Sequence, residues 1–309
     1  MTKTVGITGG TGFVGRHVAE LLKKSGAQVV IFTRNPEHHR PEPQTTFAYW
    51  CPEENKCDLA ALQSVDAMVH LAGAGIADKR WTSKRKKEIV ESRVQGTEFL
   101  VRKLKEYAPN CKAFIAASAI GFYGPDRGGG PFKEDAPPYN DFLGRTCAQW
   151  ERAIHEADPI LRTVVLRFSI VLGEDGGAYP QLAKPLNFGM MPILGDGKQV
   201  VSWIHVHDLA RLIHLAIDSN TMAGTYNAVS PNPVAHKVLM QTIARQKGGV
   251  KIPAPVPAFV LKALLGEMSI EVLKSCTVSG AKLQDTGFSL MYPDIDKAVE
   301  AIIAGKHSH

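Results

Sequence analysis

Cysteine is scarce in this chain: Cys51, Cys57, Cys111, Cys147 and Cys276 are the only five in 309 residues, and no two form a Cys-x-x-Cys pair. An odd, scattered set argues against a disulfide scaffold and against a thiolate zinc site. Free thiols in a reducing cytoplasm, with no metal centre, are the expectation. Long apolar runs are missing too. No stretch approaches the ~18–20 uninterrupted apolar residues of a membrane span. The opening MTKTVGITGG has no basic segment leading into an apolar one. Neither a membrane partner nor a signal peptide is therefore expected. Internal repeats and low-complexity tracts are also absent. What remains is 44% hydrophobic and 21% charged, suited to one large domain carrying a smaller lobe.

The net charge of +6 is concentrated. Between Lys79 and Lys105 stand ten Lys/Arg and three Glu, a local balance of +7, so the rest of the chain is close to neutral. Such a segment suggests an anionic ligand nearby. The run Lys84, Arg85, Lys86, Lys87 reads more simply as a solvated helix face.

Short apolar runs alternate with helical periods through the first half. Val5–Thr8, Val29–Thr33, Phe47–Trp50, Met68–Ala72, Phe114–Ser118 and Thr163–Phe168 read as strands. They are continuous rather than alternating, as in parallel strands covered on both faces. One helical stripe is Val14, Val18, Leu21, Leu22. A second, Val90, Val94, Val101, Leu104, lies on a helix over 83–107, and a third helix spans 142–156. This repetition predicts an α/β, Rossmann-like doubly wound parallel sheet. After Leu172 glycine and proline become frequent, marking excursions over 173–205 towards a second lobe. A helix over 208–218 and an edge strand Gly224–Ala228 close the first domain, 1–229. The remainder, 230–309, reads as a small, mainly helical lobe broken by Pro253, Pro255 and Pro257, with a frayed tail at 305–309.

Residues 8–15, TGGTGFVG, give Gly9-x-x-Gly12-x-x-Gly15. Gly9 permits the tight turn, Gly12 admits a pyrophosphate close to the backbone, and Gly15 lets helix and strand pack. Thr11, Phe13 and Val14 complete the turn, whose helix N-terminus offers free N–H groups to phosphate. A strand before the turn and an amphipathic helix after it supply the context this pattern needs. At the end of the second strand, where NAD sites carry Asp or Glu for the ribose 2′-hydroxyl, the chain has Thr33-Arg34-Asn35-Pro36. A guanidinium can grip a 2′-phosphate that a carboxylate would repel. NADP(H) is the expected cofactor.

The glycine turn, HLAG (70–73), SAIGFYG (118–124), LRFSIVLG (166–173) and WIHVHDLA (203–210) together resemble the extended short-chain dehydrogenase/reductases of epimerase/dehydratase type. LAGAGIADKRW (71–81), DFLGRTCAQWE (141–151) and the stretch from IPAPVPAF (252–259) to TGF (286–288) resemble a narrower branch. These are the small epimerase-family proteins, some of whose bacterial members are labelled cell-division inhibitors. The resemblance implies that Thr33, Arg34, Leu71, Ala72, Gly73, Glu88, Arg93 and Val171 contact the dinucleotide.

That family transfers protons with a Tyr-x-x-x-Lys pair, the lysine lowering the phenol's pKa. None of the seven tyrosines here has a lysine four residues on. Before Trp150-Glu151, where the pair is expected, stand Phe142 and Arg145. Substitute donors are Tyr123 and Ser118 at the end of the fifth strand. Tyr123 reads more readily as a pocket wall, while Ser118 could equally bond the nicotinamide amide or the backbone. Lys79, Arg80 and Trp81, on a loop leaving the sheet's carboxyl edge, suit an anionic or planar substrate. His205 is a further candidate substrate contact and Asp208 its neighbour, although both fit a structural role.

Three functions compete. The first is an NADP(H)-dependent oxidoreductase or epimerase acting on a small polar or anionic carbonyl or sugar compound. The second is a non-catalytic NADP(H)-sensing regulator. Nucleic-acid binding through 79–105 is the weakest, because only Trp81 and Phe99 offer stacking surfaces there. Monomer and homodimer both remain open, since helices 83–107 and 142–156 correspond to those that related proteins use to pair.

Overall fold

The structure, a computed structural model, describes residues 2–40 and 42–305, so the tail expectation beyond Gly305 lies outside the described residues. The first half supplies β1 (Thr4–Thr8), α1 (Phe13–Lys24), β2 (Gln28–Thr33), β3 (Thr45–Cys51), β4 (Lys56–Cys57), α2 (Leu59–Gln63), β5 (Ala67–His70), α3 (Ser83–Tyr107), β6 (Ala113–Ala119), α4 (Phe142–His155) and β7 (Arg162–Phe168). Then come β8 (Ile170–Gly173), β9 (Gly176–Gly177), α5 (Tyr179–Ala183), β10 (Met190–Leu194), β11 (Val200–Val201), β12 (Trp203–His205), α6 (Val206–Asp218) and β13 (Gly224–Ala228). The C-terminal part holds β14 (Val234–Ala235), α7 (His236–Lys247), β15 (Ile252–Val256), α8 (Ala258–Leu265), α9 (Ser269–Leu273), α10 (Ala281–Gln284) and α11 (Ile295–Ile303).

Eight strands form one sheet in the order β13-β7-β6-β5-β1-β2-β3-β4, parallel throughout except for the antiparallel edge pair β3–β4. Strand order reverses between β1 and β5, which makes this the doubly wound, Rossmann-like arrangement and places its switch point there. Helices α1 and α6 cover one face and α3 and α4 the other. The unbroken apolar runs follow from this double cover. On β7, Val164 and Leu166 feed the first core while Val165 feeds the second.

One expectation about packing needs correction in part. On α3, Val101 and Leu104 are buried as expected, while Val90 and Val94 stay half-exposed and Ile89, Gly96 and Leu100 are buried instead. The C-terminal part is mainly helical, as expected, and also carries a strand, Ile252–Val256, paired in parallel with β10. Proline is tolerated there because β15 is an edge. In register, the N–H of Ile252 donates to Gly189 at 2.8 Å and the carbonyl of Val256 accepts from Gly195 at 2.9 Å. Pro253 and Pro255 take the alternate positions, where no donor towards β10 is needed. A second pair, β11 with β14, likewise joins the excursion to the C-terminal part.

Candidate functional site

The switch point is built by backbone contact. Gly9 has φ +72°, and a Cβ on it would lie 2.8 Å from the Leu71 carbonyl carbon and 2.9 Å from the Ala72 nitrogen. The glycine turn and the segment leaving β5 therefore touch directly. A Cβ on Gly12 would meet the Gly9 carbonyl oxygen at 3.2 Å, and one on Gly15 would meet that oxygen at 2.2 Å. Gly15→Ala is expected to lower stability by about 1–3 kcal/mol, because overpacking here pushes backbone against backbone. Chemical denaturation measures it, and an unchanged midpoint would show that the turn can move aside.

Helix α1 starts at Phe13 with Gly12 as its N-cap, no side-chain cap and no acid in its first turn. The amides of its first turn and the positive end of the helix face the switch point, ready for an anion. The ring of Phe13 turns the other way, into the β8–β9 hairpin, where Cβ atoms on Gly173 and Gly176 would lie 2.6 and 2.4 Å from it. Arg16 bridges the Thr11 carbonyl (3.0 Å) and Asp175 (2.9 Å), and His17 also meets Asp175 at 3.0 Å. Val171 on β8 accepts from the Ala178 N–H at 3.0 Å, closing that hairpin. Across β2, Thr33 is half-buried and Arg34 is exposed, with no acidic partner among the described residues.

The segment after β5 rests on two arginines of α3. Arg93 donates to the Ala74 carbonyl at 2.9 Å and lies 5.1 Å from the Trp150 ring centre, and burial pulls its pKa down. A Cβ on Gly73 would come within 3.3 Å of that guanidinium. Arg85 is not a solvated residue, as its neighbours suggested. It is buried beneath the loop, donating to the Gly75 carbonyl and pairing with Asp78 at 3.4 Å and Glu88 at 2.8 Å. The hydrogen bond from Arg85 holds the exposed Glu88 carboxyl below its usual range. Lys79 and Arg80 are exposed at the loop tip. The Trp81 indole donates to Ile76 at 2.8 Å, and its ring packs edge-on against Phe142 at 5.0 Å. Arg80 lies against Gly266, and Lys86 pairs with Glu267, so this loop touches the C-terminal part.

The candidate proton donors are placed otherwise than expected. Tyr123 is fully buried rather than lining a pocket. Its hydroxyl donates to Asn227 at 2.6 Å and accepts from Arg167 at 2.7 Å. Burial pushes its pKa up to about 12 despite the arginine. Ser118 is buried too, and donates to Glu151 at 2.6 Å rather than to backbone. Glu151 and Arg167 form a buried two-pronged pair at 2.8 and 2.7 Å. Both hydroxyls are thus committed to a core network. Arg145 is exposed and bonds Asn140, so Phe142 and Arg145 do not stand in for the missing pair. The buried face of α4 carries Leu143 and Cys147 at i, i+4, with Leu143 against Gly121 and the Cys147 thiol raised to about 12 by burial. His205 is buried as the N-cap of α6, accepting from the His207 N–H at 3.1 Å and packed on Tyr292 at 4.2 Å. Asp208 is buried and accepts from the Met291 and Tyr292 amides at 2.8 and 2.9 Å. Both hold structure.

Sequence reasoning missed a second network directly under the switch point. Thr97 gives its only hydroxyl proton to the Arg93 carbonyl at 2.6 Å, so it must accept from both Trp150 Nε1 and His70 Nε2, each at 3.0 Å. That fixes the His70 proton on Nε2 and leaves Nδ1 to accept from Thr8 at 2.6 Å. The imidazole is neutral, its pKa pulled down to about 3 by burial. Its only sequence signal was a histidine inside the HLAG segment.

Comparison with known proteins adds to this geometry. Residues 5–228 match the family described as NAD dependent epimerase/dehydratase, and residues 256–302 match a domain of unknown function, DUF1731. The chain is similar to epimerase family protein YfhF of Bacillus subtilis (strain 168), 34% identical over 303 residues, covering 98% of each. It is similar to the chloroplastic SDR39U1 homolog of Arabidopsis thaliana, 33% identical over 306 residues, covering 97% of this chain and 86% of that one. Among solved structures, the human epimerase family protein SDR39U1 (isoform 2), crystallised with NADPH, superposes with a TM-score of 0.85 at 29% identity, covering 97% of this chain and 99% of that one.

Proposed function

The chain belongs to the NAD dependent epimerase/dehydratase family, and from that premise we propose that it binds NADP(H) at the switch point and acts on a small polar or anionic carbonyl or sugar compound. The observation that carries this reading is the uncapped, acid-free first turn of α1, set behind a glycine turn packed backbone to backbone against the segment leaving β5. The amides of Thr11, Phe13, Val14 and Gly15 take the diphosphate, while that of Gly12 is already given to the Gly9 carbonyl at 3.0 Å. Arg34 takes the 2′-phosphate, Leu71, Ala72 and Gly73 form the opposite wall, and Arg93 holds that wall in place. When bound, the dinucleotide supplies hydride acceptance and donation at its nicotinamide ring. Lys79 and Arg80 draw an anionic substrate to the loop mouth, and Trp81 braces the loop against α4. Because Tyr123 and Ser118 are committed elsewhere, proton transfer falls to an ordered water. The human relative's crystallisation with NADPH supports the cofactor assignment.

Isothermal calorimetry tests it. NADPH is expected to bind at least about tenfold tighter than NADH, or roughly 1.4 kcal/mol, and Arg34→Ala to erase the difference. Equal affinities in the wild type would defeat the assignment.

The absence of any Tyr-x-x-x-Lys pair, with Tyr123 and Ser118 bonded into the core, favours a second reading, an NADP(H)-sensing protein without turnover. Incubation with NADPH and a panel of carbonyl compounds and nucleotide sugars separates the two. Oxidation or isomerisation of any of them supports the enzyme, whereas tight binding with none supports the sensor.

A further inference from the structure

The large hydrophobic side chains that are at least half exposed are unevenly spread over the described residues. Phe188 (73% exposed), Met190 (50%), Val250 (85%), Ile252 (67%), Phe259 (74%) and Leu264 (67%) all fall in two short segments, 188–190 and 250–264. The fold joins these segments. In the β10–β15 ribbon Met191 and Ile193 turn into the core. Met190, Pro192 and Leu194 face outward, in register with Ile252, Ala254 and Val256. Helix α8 follows directly and fully buries only Leu261, leaving Phe259, Ala263 and Leu264 in solvent. The ribbon runs for roughly 16 Å and the helix that continues from it for roughly 12 Å. Monomeric soluble proteins rarely expose a patch of this kind without a partner.

Charge identifies the partner. Residues 184–194 and 245–265 contain no Asp or Glu. Lys184, Lys247, Lys251 and Lys262 stand among the apolar residues, none with an acidic partner among the described residues. A second copy docking by two-fold symmetry would set lysine against lysine. Strand addition to β15 is blocked by Pro253 and Pro255, which present no N–H on the free edge. Apolar side chains interleaved with unpaired lysines instead match a surface that is apolar inside and anionic outside. We propose that the outer face of the β10–β15 ribbon and α8 docks peripherally on an anionic lipid membrane. No described helix is long and apolar enough to cross a membrane, so the contact lies on the bilayer rather than through it. Gly266, which ends α8, abuts Arg80, so docking would set the candidate substrate loop beside the lipid surface.

Flotation of the full-length chain with phosphatidylcholine vesicles, with and without phosphatidylglycerol, tests the proposal. Binding is expected only with phosphatidylglycerol and should be released by salt. Lys251→Ala with Lys262→Ala should weaken it about thirtyfold, near fivefold per lysine. Phe259→Asp should bring it to background, while circular dichroism and the thermal midpoint stay at wild-type values. No binding to either vesicle, or equal binding to both, overturns the proposal. So does concentration-dependent self-association that Phe259→Asp abolishes, since that outcome gives the face to a second copy.

Discussion

Glu151→Ala is expected to destabilise the fold by about 3–5 kcal/mol, the usual cost of leaving a buried charge without its counter-ion. Arg167 would keep only the Tyr123 hydroxyl and the Glu134 carbonyl as acceptors, at 2.7 and 3.0 Å, and neither carries a charge. Its guanidinium lies 3.6 Å from the Phe122 ring centre, a contact that cannot replace a carboxylate. Ser118 would lose its acceptor as well. Urea denaturation followed by circular dichroism measures the loss. Replacing both partners with apolar residues, Glu151→Leu with Arg167→Met, should recover most of it, because desolvation of the two ions is then avoided. A loss below about 1 kcal/mol for Glu151→Ala would mean that water reaches the pair.

Acidification gives the second large effect. In the folded chain His70 takes up a proton only near pH 3, whereas an unfolded histidine does so near 6.5. Between those values the unfolded state binds the extra proton. The contribution of His70 is therefore intact above about pH 6.5 and is lost as pH falls, at up to about 1.4 kcal/mol per pH unit. His236 is shifted in the same direction by burial, so the wild-type curve alone does not isolate His70. His70→Asn keeps one donor and one acceptor but has no proton to gain. The stability difference between wild type and His70→Asn should shrink steadily as pH drops below 6.5. Parallel curves over that range would show that His70 is hydrated in the fold.

The sequence made plain whatever is dictated locally. The glycine turn was legible because each glycine answers a clash within a few residues of itself, as at Gly15 against Gly9. The parallel strands were legible because double cover leaves no polar alternation. What escaped depends on partners far along the chain. The partners of Ser118 and Tyr123 were not legible because Glu151, Arg167 and Asn227 lie 33 to 104 residues away. Arg85 sat in a run of four cations, and only the loop folding back over it separates it from the others. The prolines of 252–256 read as helix breakers because β10, the strand that makes them an edge, precedes them by about sixty residues. The first half of the stripe on α3 was misplaced because Ile89 and Val90 are both apolar, and periodicity alone does not choose between adjacent positions.

The ribbon also sets a timetable for the nascent chain. Sixty-two residues separate Met190 from its partner Ile252. A ribosome adding about 5–20 residues each second leaves β10 without its mate for roughly 3–12 seconds. In that interval the edge of β10 that β15 will take stands open, although α7, which covers Met191 and Ile193, is already made before β15. Chaperone capture during synthesis should therefore concentrate on chains paused between these two strands.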